Sequence, residues 1–131
     1  LWKDKEEFFN ESDKFVIIHG DFSSWNIGLT DNLEIKLIDL ARVRYGDWLF
    51  DPTRFSVMTR RDKPRLHGDT KRIIQTWMKK FSERLNDTTY LTRLNIFKIR
   101  HLITLTRYSS KEKEQKLYLS EINDLLSRVE F

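Results

Sequence analysis

The chain contains no cysteine, so it has neither a disulfide framework nor a thiolate metal site. That absence suits a reducing compartment, and a cytoplasmic location is the expectation. No apolar run approaches the roughly 18 residues that a membrane span needs, and no secretory leader is visible, so no membrane partner is expected. Only four glycines occur, at positions 20, 28, 46 and 68, and they never cluster. A Gly-rich loop of the kind that cradles nucleotide phosphates is therefore missing from this sequence. Repeats, low-complexity tracts and linkers are missing as well. The 131 residues suffice for one domain with a real core.

What the sequence does have is concentrated between His19 and Asp51. Val16, Ile17 and Ile18 form a short apolar run, read as a buried strand, that ends at His19-Gly20-Asp21. Ile27 to Leu29 and Leu33 to Ile38 are two further strand-like runs, with the turn formers Thr30, Asp31 and Asn32 at their junction. A hairpin centred on Asp31 to Glu34 sets Asn26 opposite Asp39, and opposed residues in an antiparallel pair lie roughly 4.5–5.5 Å apart at Cα. Asp21 lies on the loop feeding the same end. Two carboxylates and an amide around one small volume make an all-oxygen site, which suits hard Mg²⁺ with room left for water and phosphate oxygens.

His19-Gly20-Asp21, four intervening residues and then Asn26 resemble the catalytic loop of the aminoglycoside phosphotransferase family. Ile38-Asp39, Gly46-Asp47 and Asp51 resemble the metal-binding segment and following helix start of the same family. The wording from His19 to Asp51 is particularly similar to the hygromycin-type members. The resemblance implies a protein-kinase-like fold and transfer of the ATP (or GTP) γ-phosphoryl group to a hydroxyl of a small molecule, such as an antibiotic. It implies Asp21 as the base that accepts the hydroxyl proton, with Asn26 and Asp39 holding Mg²⁺ and through it the nucleotide. His19, Asp47 and Asp51 are expected to support the loop or to cap the next helix. Such chemistry needs alignment and charge neutralisation more than covalent help.

Family members place a whole nucleotide-binding lobe before this loop, whereas eighteen residues precede His19 here. The expectation is a C-terminal catalytic lobe, residues 1–131, whose N-terminal lobe is a missing partner. Its fold class is α+β, mainly α, with a small β-hairpin carrying the catalytic and metal loops and about four to five helices.

The remainder reads as those helices. Residues 2–12 look like the end of one, closed by Ser12 or Asp13. Leu40 to Tyr45 reads as irregular, and Trp48, Leu49 and Phe50 as core. Asp51 followed by Pro52 predicts a helix start, running to about Thr59. His67-Gly68-Asp69 repeats the earlier tripeptide but lacks the following Asn. Asp69 is expected only to cap a helix of about residues 70–85, on which Ile73, Ile74, Trp77, Met78, Phe81 and Leu85 recur at helical spacing. A central helix over 89–109 is expected to bury Leu91, Leu94, Phe97, Leu102, Leu105 and Tyr108, with His101 packed rather than ligating. The last helix carries Leu119, Ile122, Leu125, Leu126 and Val129 as its apolar stripe.

Charge is uneven: residues 1–52 carry a net −5, residues 53–116 a net +11 and residues 117–131 a net −2. The acidic segment suits Mg²⁺. The basic segment fits a polycationic acceptor poorly, because like charges repel. A competing reading is a non-catalytic fragment or binding module that uses Arg60, Arg61, Lys63, Arg65, Lys71, Arg72, Lys79 and Lys80 for an acidic partner or nucleic acid. Interleaved acids spread that charge, so a solvated face is the simpler reading and nucleic acid is not expected. An exposed lobe interface would favour self-association.

Overall fold

The computed structural model describes residues 14–129, and the expected helix over residues 2–12 lies outside them. The element order is β1 (Phe15–Ile18), β2 (Ile27–Leu29), β3 (Ile35–Leu37), β4 (Arg44–Asp47), α1 (Phe50–Asp62), α2 (His67–Arg84), α3 (Tyr90–Tyr108) and α4 (Glu112–Arg128). The fold is thus α+β and mainly α, with four α-helices among the described residues. Short 3-10 turns at Ser24–Asn26, Leu40–Arg42 and Pro64–Leu66 join these elements.

The strands form two antiparallel pairs, β1 with β4 and β2 with β3. The β1–β4 pair sets Phe15 opposite Asp47 and Ile18 opposite Arg44, so Arg44 and Tyr45, the end of the stretch Leu40 to Tyr45 expected to be irregular, are strand. Arg44-Tyr45-Gly46-Asp47 has no apolar alternation, so its pairing is dictated by a partner distant in sequence rather than by its own pattern. Of the run expected to be buried, only Ile18 is; Ile17 on the opposite face is 69% exposed.

The β2–β3 register differs by one residue from expectation. Ile27 faces Leu37 and Leu29 faces Ile35, and Ile38 N donates to Asn26 O at 3.0 Å. Asn26 therefore pairs with Ile38, not with Asp39. The cause is the turn: Leu33 takes a left-handed φ of 61°, and Thr30 N donates to Glu34 O at 3.0 Å. The loop then has three residues, a form in which a type I turn is followed by a left-handed residue.

α1 starts at Phe50 and runs to Asp62, three residues beyond the expected end. Pro52 lies in the first turn, where no backbone donor is required. No side chain caps this helix; the Asp51 carboxylate is used elsewhere. α2 starts at His67 rather than at 70, so Asp69 lies inside its first turn and caps nothing.

Two apolar clusters hold the helices. Ile18, Trp48, Leu49, Phe50, Met78, Leu94 and Phe97 form one. Val57, Met58, Leu102, Leu105, Tyr118, Ile122 and Leu125 form the other. Leu91 and Tyr108 of α3, and Leu119 and Leu126 of α4, are exposed against expectation. Two polar residues, Arg93 and His101, take buried places on α3 instead. Each is tolerated because it is paired. Arg93 Nε donates to Asp47 Oδ2 at 2.6 Å, and its Nη1 and Nη2 donate to the two Asp87 oxygens at 2.8 and 2.7 Å. Trp48 Nε1 adds a bond of 3.0 Å to Asp87 Oδ2. This network ties the end of β4 to the loop before α3. Burial opposes the Asp87 charge, yet the Arg93 and Trp48 hydrogen bonds, with the charges of Arg93 and Lys14, hold its carboxyl well below the usual range.

Candidate active site

The loop after β1 is held by backbone donors. Asp51, on the first turn of α1, accepts from His19 N at 2.6 Å and from Gly20 N at 3.0 Å. Gly20 has φ +81°, and a Cβ there would collide with the Arg42 carbonyl oxygen and the Arg44 guanidinium. Only glycine fits this position without strain.

His19 bridges the two halves of the site. Asp21 N donates to His19 Nδ1 at 3.3 Å. The ring proton therefore sits on Nε2, which donates to Ile38 O at 3.0 Å. The loop carrying Asp21 is thus fixed to the strand end that leads into Asp39. Asn26 Nδ2 donates to Asp21 O at 2.8 Å. That bond orients the amide and leaves its Oδ1 without a partner among the described residues.

Asp39 is one residue past the last cross-strand bond, in a left-handed conformation with φ 57° and ψ 65°. Although the register does not set it opposite Asn26, Asp21, Asn26 and Asp39 all line one cavity of about 720 Å³. Gly20 lines it too, as do Arg54 and His101 from α1 and α3. Asp47 lies outside this cavity, where it accepts from Leu49 N at 3.0 Å as well as from Arg93. His67 and Asp69, the second His-Gly-Asp, also lie outside it.

Arg54 was not legible as a site residue from the sequence. Its Nη2 pairs with Asp21 Oδ1, with both side chains largely buried. The one signal was spacing: Arg54 follows Asp51 by three residues on α1, so both face the same loop. His101 Nε2 donates to Phe50 O at 3.3 Å on the cavity wall. Burial, then the nearby Arg54 charge, lowers its pKa to about 3. The basic residues weighed as a nucleic-acid face are partly spent on internal pairs: Arg60 with Glu121 at 2.5 Å and Arg61 with Asp62 at 2.8 Å.

The pattern of the phosphotransferase enzyme family, APH, matches residues 1–77. The chain belongs to that family. The matched span includes β1 to β4, α1 and the cavity-lining residues Asp21, Asn26, Asp39 and Arg54. Comparison with curated proteins and with solved structures gave no match. α3 and α4 lie beyond the family span, so the second helical wall of the cavity is outside the matched residues. No described helix is long and apolar enough to cross a membrane.

Proposed function

We propose that this phosphotransferase moves the γ-phosphoryl group of ATP or GTP to a hydroxyl of a small molecule, with Mg²⁺ as cofactor. The observation that carries this reading is the convergence of Asp21, Asn26 and Asp39 on one cavity. Asp21 is the group that accepts the hydroxyl proton. It belongs to a loop whose backbone is pinned by Asp51 and His19, which is the rigidity that such a base requires.

Asn26 Oδ1 and the Asp39 carboxylate are the protein ligands for the metal. No group of three or more His, Cys, Asp or Glu that could hold a metal ion exists among the described residues. The donor set still fits Mg²⁺, which is ordinarily held by one or two protein oxygens with the rest supplied by phosphates and water. When bound, the metal neutralises charge on the phosphates; the chain's own part is to align the acceptor hydroxyl with Asp21.

The chain is the catalytic lobe, and a nucleotide-binding lobe is its partner. Exposed apolar side chains on the hairpin and β4 support this: Leu29, Ile35, Leu37 and Tyr45 all face solvent. Such a surface is the kind that a second lobe covers. The cysteine-free sequence supports a cytoplasmic setting.

The deciding experiment is Asp21→Asn in protein carrying both lobes, with phosphoryl transfer from Mg·ATP as readout. Turnover falls by roughly 10²–10⁴-fold if Asp21 is the base. Turnover within a few-fold of the parent would end that assignment.

A further inference from the structure

The cavity that holds Asp21, Asn26 and Asp39 is walled by arginine. Six line it: Arg42, Arg44, Arg54, Arg61, Arg100 and Arg107, against two carboxylates, Asp21 and Asp39. They come from three separate parts of the fold. Arg42 and Arg44 belong to the turn before β4 and to β4 itself. Arg54, Met58 and Arg61 lie on one face of α1, and Arg100, Thr104 and Arg107 repeat the same spacing on α3. Two helices thus present matched basic faces to one volume.

Little of this charge is neutralised internally. Arg54 is paired with Asp21, and Arg61 with Asp62. Arg42, Arg44, Arg100 and Arg107 make no ion pair among the described residues. Arg44 and Arg100 both sit over the Phe50 ring, at 4.9 and 5.1 Å from its centroid. That ring draws two guanidinium groups to one wall. Guanidinium does not shed its proton, so this positive charge is permanent, and an anion bound in the cavity offsets it. The volume, about 720 Å³, is that of a small-molecule site rather than a surface stripe.

We infer that the acceptor of this phosphotransferase is itself an anion: an alcohol bearing a phosphate or carboxylate group. The inference rests on the kinase reading above. The charged group of the acceptor is held by Arg100 and Arg107, and its free hydroxyl is turned towards Asp21. Planar guanidinium forks match both phosphate and carboxylate oxygens, so the two share one recognition chemistry. The field that attracts an anion disfavours a polycationic acceptor. Mg·ATP is the competing anion for these arginines, and its binding to the variant described below separates the two assignments.

The test is calorimetric binding to the chain at low salt. The probes are ribose 5-phosphate, gluconate, neutral ribose and the polycation kanamycin. The expected result is that at least one anion binds about ten-fold or more tighter than ribose or kanamycin, and that Arg100→Gln with Arg107→Gln removes this preference. Ribose 5-phosphate and gluconate separate the phosphate source from the carboxylate source. Circular dichroism checks that the variant, altered at two exposed positions, is folded. Equal binding of all four probes, no anion binding at millimolar concentration, or an anion preference that survives in the double variant overturns the inference. So does weakened Mg·ATP binding in the double variant with ribose 5-phosphate unaffected, which assigns the arginines to the nucleotide. Failure of the kinase reading is seen separately, as turnover in the two-lobed protein that is indifferent to Asp21→Asn.

Discussion

Arg54 of α1 grips the carboxylate of Asp21, tying the first helix to the loop that carries the candidate base. The Arg54 Nε is buried without a partner, so among the described residues the guanidinium is held by its contact with Asp21 rather than by a wider network. Arg54→Gln therefore frees the Asp21 side chain without unpacking the helix. In protein carrying both lobes, kcat falls by roughly ten- to a hundred-fold, the scale of a misplaced reacting group. KM for Mg·ATP stays close to the parent value, and Arg54→Lys recovers part of the loss. Steady-state kinetics decides; an unchanged kcat removes Arg54 from the positioning of Asp21.

Asp51 holds the same loop from beneath, through the His19 and Gly20 amides. Asp51→Ala leaves both donors unsatisfied in a part-buried place. Each such loss is worth about 1–3 kcal/mol. Urea unfolding should show a drop of about 2–6 kcal/mol for the two donors together, and hydrogen exchange should quicken at residues 19–21 more than on α3. Uniform exchange across the chain would show that Asp51 only stabilises the fold and does not order the loop.

The Arg93 network sets a contrast between buried and exposed charge. Arg93→Met leaves Asp47 buried without its cation and Asp87 with Lys14 at 3.7 Å, and breaking a buried pair from one side costs about 3–5 kcal/mol. The exposed Arg72–Asp69 pair, at 3.5 Å, should give no measurable change on Asp69→Ala. Paired denaturation curves test both. A small effect at Arg93 would mean that water reaches the network.

The loop after β1 was legible in the sequence because an apolar run ending at His19-Gly20-Asp21 marks where the strand stops. The hairpin register was not, because Leu33 adopts a left-handed φ that its residue type gives no reason to expect. β4 was hidden for a different reason. Its partner β1 lies far back in the chain, and Arg44 to Asp47 carry no strand pattern of their own. Spacing put Leu94, Phe97, Leu102 and Leu105 correctly in the core of α3. It could not show that Arg93 belongs there as well, since a buried arginine is decided by its distant carboxylates. Arg54 was missed on the same ground: its role exists only once α1 lies against the Asp21 loop.

His101 makes stability depend on pH. Its folded pKa is about 3, against about 6.5 for an unfolded histidine. The folded state therefore keeps the ring neutral, donating to Phe50 O, where the unfolded chain takes up a proton. The stability that His101 confers is full above about pH 6.5 and is lost as pH falls from there towards the folded value. Between those limits the slope is up to about 1.4 kcal/mol per pH unit for one proton. Burial and the lowered pKa of His67 add a contribution of the same sign, so His67→Gln is the necessary control. Urea midpoints measured from pH 7 to pH 5 should fall in the parent and in His67→Gln, and fall less steeply in His101→Gln. Equal slopes in parent and His101→Gln would mean that the ring is hydrated and protonates in place. It would then add a positive charge to the cavity wall beside Arg54 and Arg100 as the solution is acidified.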